Sequence, residues 1–531
     1  METSPTCNRG SLGVGSRARL ARKRRTTLRF NWSAAWSLVV LGAVVTIFAS
    51  APSENKYPCA LAGAFTFFLV QWFLPTCRPV SGKLLCPWNW ALFVFFLQLI
   101  LLPLSVLVSG PSMGALPFLP SDRAINLAML INAAAFIAFC GTYHYFAHSS
   151  RTHHGSIVSP RQGSSERQSM SLSFMGLNGV IGIIGFFLAF GALDKIAEYF
   201  SDPAGYLSRL VDASDRLGLA AGLFLRPFLG IFVVMLWCRW LDQARSRRTS
   251  VLVSSVTILA IVAVCLSNAT FNYNRGSVVV PLVAMLAVIV SNPNRVARRT
   301  VLVAGAVVGL VLLLVPFYGA YRSSKFTGQE ILSDSSVRNV LFDKVELTEM
   351  FQVYGGAPQF LGFFLEMEKW GEDPQWGRVL GSSALAPLPI LGKPFRETSG
   401  TAIYNRFIYG MRDVQDQIAP FQGETFLDFH LPGLLVGFGF LGWIAFKLQT
   451  AFLRSSSFFE TFVWQYFSVW TFFLIFGSLS VVSQIFIYFC WPFHLYFFSR
   501  HLRPRWIGYK SRGLEVTNAN PAHRGYIRPI A

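Results

Sequence analysis

The feature that most constrains this chain is a series of apolar runs, each close to the roughly 20 residues an α-helix needs to cross a bilayer. They fall at 32 to 50, 58 to 75, 88 to 109, 124 to 147, 172 to 191, 218 to 238, 251 to 270, 273 to 291, 300 to 318, 431 to 452, 459 to 477 and 480 to 498. A soluble fold cannot bury twelve such runs in a chain of 531 residues that is 53% hydrophobic and only 14% charged. The expected class is an all-α polytopic integral membrane protein of about 12 transmembrane helices.

Charge then orients the helices. The net charge is +20, but the basic residues fall in short clusters between apolar runs and not on one face of a folded domain. That pattern sets membrane orientation and argues against nucleic acid as a partner. Arg17, Arg19, Arg22, Lys23, Arg24, Arg25 and Arg29 place the N-terminus inside. Alternate connections carry Arg78 and Lys83; Arg151, Arg161 and Arg167; Arg239, Arg245, Arg247 and Arg248; Arg295, Arg298 and Arg299; Lys447 and Arg454. The tail adds Arg500, Arg503, Arg505, Lys510 and Arg512, so both termini are expected in the cytoplasm. The reading divides the chain into a basic N-terminus at 1–31, transmembrane helices 1–9 at 32–318, a large periplasmic loop at 319–430, transmembrane helices 10–12 at 431–498 and a basic tail at 499–531. The first span reads as uncleaved. The eight cysteines include no CxxC pair, so neither a disulfide framework nor a zinc site is expected. The Ser-, Gly-, Arg- and His-rich stretch 148 to 171 reads as a disordered linker, as does the chain after Trp506.

The loop carries ten Lys/Arg and fourteen Asp/Glu between Gly319 and His430, so the acidic material coincides with the one large water-exposed piece. Apolar residues recur at helical spacing in two places, as Val337, Val340, Leu341 and Val345, and as Phe360, Phe363, Phe364 and Met367. This predicts helices over 337–354 and 358–370 lying on the membrane or the bundle. Pro387, Pro389 and Pro394 break the chain between these and the return stretch. About 110 structureless residues are rare in a compact protein, so the part-helical loop is expected to be packed.

Three residue clusters at the outer boundary could carry chemistry. Arg275 and Gly276, at the start of the eighth run, combine a guanidinium with free backbone N–H groups and suit phosphate oxygens; the alternative is an arginine snorkelling to the interface. Tyr321, Arg322 and Lys325 follow the ninth run. They could hold a diphosphate or serve as an interfacial anchor. Glu424 and Asp428, four apart, share one helix face and lead into the tenth run with His430. Carboxyl groups beside a low-dielectric bundle persist where they bind or move protons, although an acidic first turn also complements a helix dipole. His430 could titrate near neutrality or be hydrogen-bonded filler. Arg396 and Arg406, with Lys393, flank Thr398, Ser399, Gly400 and Thr401. This patch could contact sugar hydroxyls or phosphate, or be ordinary solvated surface.

Order and spacing of these features over roughly residues 250 to 455 resemble the O-antigen polymerase family of oligosaccharide repeat-unit polymerases. The resemblance rests on Arg275-Gly276 after a span, Tyr321-Arg322 after the next, and Tyr354-Gly355-Gly356-Ala357-Pro358 in a large outer loop. It rests also on a turn ending in Lys393-Pro394 and a return written Glu424, Asp428-Phe429, closing on Gly433. His430 departs from it, standing where such enzymes are expected to have glycine. The resemblance implies a GT-C-like glycosyltransferase architecture in the bacterial inner membrane. The enzyme would move a growing glycan from its polyprenyl-diphosphate carrier to the next carrier-linked repeat unit at the periplasmic face, without cofactor or metal. It assigns Arg275, Arg322 and Arg406 to the diphosphate, Glu424 to the base or acceptor-positioning role, and Asp428 to its support. Tyr321, Lys325, Arg396 and His430 fall among the substrate contacts. Membrane lipids are partners, and a chain-length regulator protein is a further partner the sequence leaves open. An O-antigen ligase would place a histidine early in the return stretch, where Glu424 stands. A flippase would need charge deep within several spans, whereas here nearly all of it lies at the boundaries.

Overall fold

The computed structural model describes residues 36–80, 85–113, 116–153, 172–190, 224–225, 227–244, 284, 306, 347–369, 374–388, 391–410, 418–455 and 457–498. Every regular element among them is helical. Apolar helices α1 (Trp36–Ser50) and α2 (Cys59–Phe73) open the chain, followed by α3 (Pro87–Ser109), α4 (Asp122–His153), α5 (Leu172–Phe190) and α6 (Pro227–Ala244). Helices α7 (Leu347–Gly355), α8 (Pro358–Lys369), α9 (Arg378–Leu385), α10 (Lys393–Arg396) and α11 (Gly400–Tyr409) form the described part of the loop. Then come α12 (Phe421–Arg454), α13 (Phe458–Phe472), α14 (Leu479–Tyr488) and α15 (Trp491–Phe498). Among the described residues, α3, the 122–150 part of α4, and α12 are long and apolar enough to cross a membrane. The pair α14 and α15, bent by 55°, makes a fourth if it is one span. Helices α1, α2, α5 and α6 fall on the first, second, fifth and sixth expected runs, while the runs at 251 to 270, 273 to 291 and 300 to 318 lie outside the described residues except for Ala284 and Ala306.

The spine is α4 against α12. On α12, Leu434, Phe438, Leu441, Ala445, Leu448 and Phe452 recur every three or four residues and are buried, the stripe that packs one helix on another. Gly442 lets the backbones close, since a Cβ there would strike the Phe139 carbonyl. The opposite face of α12 exposes Leu431, Leu435, Val436 and Phe440. Phe73, Val180 and Phe498 are likewise exposed elsewhere. So much outward apolar surface belongs against lipid rather than water.

Two local devices shape the bundle. Helix α3 passes Pro103 by a single π turn, Leu97–Leu101. The Leu102 N–H reaches back to the Leu97 carbonyl and the register is reset just before the proline. Helix α13 starts with a Ser-x-x-Glu capping signature: the Ser457 hydroxyl accepts from the Glu460 N–H at 3.1 Å. It is buried along nearly its whole length.

The loop helices pack on one end of this bundle, as expected of a packed loop. Helix α8 lies against α4 and α12, and α9 lies against α12 and α14. The buried Tyr404 of α11 stacks on Phe364 of α8, centroids 4.7 Å apart, and donates to the Phe360 carbonyl at 2.7 Å. Burial raises its phenol well above the usual range, so it acts as a fixed donor. The regions predicted at 337–354 and 358–370 are helical where described. The stretch between the prolines and the return forms further helices, with Pro394 in the first turn of α10.

Candidate active site around Glu424

Helix α12 spans 34 residues, about 51 Å against a hydrocarbon core of about 30 Å. Part of it must therefore stand outside the core. It is broken at Phe429 (φ −143°, ψ 15°) and His430 (φ 51°, ψ −148°), just before Pro432. The segment ahead of the break, 421 to 428, is buried at every residue and carries both candidate carboxyls. Gly423 allows this depth, because a Cβ there would enter the Phe364 ring.

Glu424 has no exposed surface. Its Oε1 accepts from the Ser383 hydroxyl of α9 at 2.7 Å and the Ser478 hydroxyl at 3.0 Å. Its Oε2 accepts from the Leu479 N–H at 2.9 Å. Both hydroxyls are themselves acceptors: Ser383 Oγ receives the Gly400 N–H at 2.8 Å, and Ser478 Oγ receives the Ser480 N–H at 3.1 Å. Their protons are thereby directed at Glu424, a donor set built for a carboxylate. Gly400 begins α11, Leu479 begins α14 and Glu424 lies in the first turn of α12. Three helix N-termini, each with partial positive charge, meet at one acid. Gly400 is required for the approach, because any Cβ would occupy the carboxyl's place.

The Ser478 hydroxyl also leads outward. The Thr401 hydroxyl donates to it at 3.2 Å, and the Ser480 hydroxyl lies 2.9 Å from it and 3.2 Å from that of Thr401. Thr401 and Ser480 are half-buried, so a chain of hydroxyls links the enclosed acid to accessible ground.

Asp428, also fully buried, turns to the same neighbour. Its Oδ1 accepts the Val379 N–H at 3.0 Å and its Oδ2 the Leu380 N–H at 2.7 Å. Helix α9 has Gly377 at its N-cap, with no side chain to satisfy these donors, and Asp428 supplies the cap from a different helix. The Gln375 and Trp376 N–H groups pair with the Leu427 and Asp428 carbonyls at 3.0 and 3.1 Å. Pro432 has no N–H for the Asp428 carbonyl, so Trp376 replaces the helical bond the proline removes. The two carboxyls thus share a face, as their spacing predicts, and both grip α9.

The remaining predicted residues divide. Arg406 and Thr398 line an open cleft of about 360 Å³ together with Met367, Gln375, Arg378, Glu397, Ile403 and Phe407. Arg406 donates to the Glu397 carbonyl at 3.1 Å, while Arg396 reaches the Ala386 carbonyl at 3.5 Å and does not line the cleft. His430 sets its ring edge-on to Phe426, centroids 5.5 Å apart. Arg275, Tyr321, Arg322 and Lys325 lie outside the described residues. The Thr398 to Thr401 patch is a joint, buried at Ser399 and Gly400 and half-buried at Thr398 and Thr401. Thr398 meets the Ser382 hydroxyl at 2.8 Å, Ser399 caps α11 through the Ala402 N–H, and Thr401 meets Ser478.

Sequence reasoning missed Ser383, Ser478 and Arg378. Ser478 follows Gly477 and precedes Leu479-Ser480, a small polar interruption between two apolar runs that could have marked a helix start. Arg378 carried no signal beyond its place after Trp376-Gly377. No known protein family, curated protein or solved structure matches this chain.

Proposed function

We propose that the protein is an integral-membrane glycosyltransferase that polymerises polyprenyl-diphosphate-linked oligosaccharide repeat units into O-antigen or a related surface polysaccharide. It would act at the outer face of the inner membrane. The observation that carries this reading is Glu424, a buried acid held by three donors from two other parts of the chain, Ser383 and Ser478-Leu479, where the loop helices meet the bundle. A second support is the backbone at His430, whose positive φ is one glycine enters freely; the resemblance expects glycine at that position.

In this reading the acceptor sugar hydroxyl attacks the anomeric carbon of the donor glycan, forming the glycosidic C–O bond as the bond to the lipid diphosphate breaks. The acceptor proton passes to Ser478 from the side of Thr401 and Ser480, while the Ser478 proton moves to Glu424. The departing diphosphate keeps the bonding electron pair, and arginines stabilise its charge. Arg406 with Arg378 in the cleft, and Arg275, Arg322 and Lys325, are assigned to that task. Asp428 positions α9, and with it Ser383, against Glu424.

The test is the glycan ladder made by cells carrying Glu424→Gln or Arg275→Ala, with protein accumulation checked on the same membranes. Loss of long chains at normal protein level is the expected result, and an unchanged ladder in both variants removes the assignment.

A further inference from the structure

Among the described residues, the most exposed large apolar side chain is Trp376, at 78%. Its backbone is held at φ 50°, a region that strains a tryptophan and persists only where surrounding contacts impose it. Here they do. Its N–H is bonded to the Asp428 carbonyl, and the neighbouring Gln375 N–H to that of Leu427. The indole is therefore presented outward by a fixed backbone. It meets Phe429 edge-on at 6.2 Å, and Phe429 is itself partly exposed.

Phe429 adjoins the face of α12 that carries Leu431, Leu435, Val436 and Phe440, all exposed and opposite the stripe packed on α4. That face belongs to a helix long and apolar enough to cross a membrane, and Trp376 stands at its break, bonded to Asp428 and edge-on to Phe429. On the other side the surroundings change at once: Gln375 and Arg378, on either side of Trp376 in the chain, line the polar cleft. An amphipathic ring at such a boundary matches the preference of tryptophan for the headgroup–acyl interface of a bilayer.

We propose that residues 374–377 and Phe429 form a membrane-docking edge. The Trp376 indole lies in the headgroup–acyl boundary of the phospholipid leaflet faced by the α12 break. The mouth of the Arg378–Arg406 cleft thereby opens at lipid headgroup depth and not into bulk water. The occupant is phospholipid, because the exposed apolar face of the membrane-crossing helix continues into this edge. The inference does not depend on the glycosyl-transfer reading.

The test places spin labels at Trp376→Cys, Phe429→Cys and Glu397→Cys in the full chain, reconstituted in phosphatidylethanolamine–phosphatidylglycerol vesicles. Labelled unsubstituted protein is used to subtract native cysteines. The ratio of oxygen to nickel-chelate accessibility should be several-fold higher at 376 and 429 than at 397. Trp376→Phe, which leaves the backbone untouched, should also remove part of the tryptophan quenching caused by phospholipids brominated near the headgroup. Nickel accessibility at 376 equal to that at 397 puts the edge in water and overturns the proposal. Exclusion of both reagents at 376, as a second copy of the chain would cause, also overturns it, as does unchanged bromolipid quenching in Trp376→Phe.

Discussion

Asp428→Asn and Glu424→Gln are the same chemical change on one face of one buried helix segment, yet the structure gives them opposite outcomes. The partners of Asp428 are the N–H groups of Val379 and Leu380, fixed in the backbone and unable to turn round. An asparagine oxygen satisfies one of them and sets its NH₂ against the other. The loss is one hydrogen bond to a charged acceptor, about 1.5–3 kcal/mol, plus a buried N–H without a partner, about 1–3 kcal/mol. Allowing for partial relaxation, Asp428→Asn should destabilise the protein by about 3 kcal/mol. Two of the three donors to Glu424 are hydroxyls, Ser383 and Ser478. A glutamine can keep its oxygen on the Leu479 N–H and offer its NH₂ to these hydroxyls, which rotate to accept, so the cost should stay near 1 kcal/mol. Thermal unfolding in detergent, followed by the monomer peak in size-exclusion chromatography, should show a clear drop in midpoint for Asp428→Asn and little change for Glu424→Gln. Glycan synthesis should fail in Glu424→Gln despite its stability. A Glu424→Gln protein that unfolds while Asp428→Asn remains as stable as wild type would refute this account of the donors.

Other changes probe the same joint. Gly400→Ala puts a methyl group on the Glu424 carboxyl; it should cost about 1–3 kcal/mol by overpacking and reduce polymer synthesis beyond what the stability loss explains. Arg378→Ala and Arg406→Ala, both at exposed cleft residues, should leave the unfolding midpoint within about 0.5 kcal/mol of wild type. Each should raise the lipid-linked substrate concentration needed for half-maximal chain extension in detergent. His430→Gly relieves a positive φ of 51° worth about 1–3 kcal/mol, offset by about 0.5–1 kcal/mol of glycine chain entropy. The unfolding midpoint should therefore rise slightly, and a large fall would show that the His430 side chain, not its backbone, holds the break.

The bundle was legible wherever the signal is local. Hydrophobic length placed α3, α4 and the apolar part of α12 after the break within a few residues, and the spacing of Phe360, Phe363, Phe364 and Met367 marked α8. The 431 boundary of the tenth run coincides with the break at Phe429 and His430, because Pro432 reads as a helix start. The short segment 421 to 428 before it falls in the expected loop, although the spacing of Glu424 and Asp428 already reads as one helix face. Eight residues with polar side chains at 422, 424, 425 and 428 give no sign of complete burial until their partners are known. Those partners are distant: Ser383 lies 41 residues before Glu424, Ser478 lies 54 after it, and Val379 lies 49 before Asp428. The face shared by the two acids follows from a four-residue spacing. What they face depends on how α9, α11 and α14 pack, which no local pattern encodes. The π turn at Leu97–Leu101 was invisible for a related reason: the proline signals a disturbance, but not which helical register absorbs it.

The joint can be separated from mere fold glue by its own energetics. The segment 421 to 428 buries Gln422, Glu424, Thr425 and Asp428 together. Gln422 donates to Asn132 of α4 and to the Ile475 carbonyl, and Thr425 bonds back within α12. Buried polar sets of this kind are commonly matched or exceeded in stability by apolar groups of similar volume, while removing one partner alone is costly. If the Glu424 cluster served stability, replacing it as a set should weaken the protein. If it serves chemistry, the replaced set should fold and do nothing. Glu424→Leu alone leaves the Leu479 N–H, the Ser383 hydroxyl and the Ser478 hydroxyl without their acceptor, and should destabilise by about 2–4 kcal/mol. Adding Ser383→Ala and Ser478→Ala removes two of these stranded donors but also takes the acceptors from the Gly400 and Ser480 N–H groups, so it should recover only part of that loss and move the unfolding midpoint part of the way back toward wild type. Polymer synthesis should stay absent in both. A triple variant that is more stable than the single and still extends glycans would mean that the acid is packing, and that the reacting hydroxyl finds its base elsewhere.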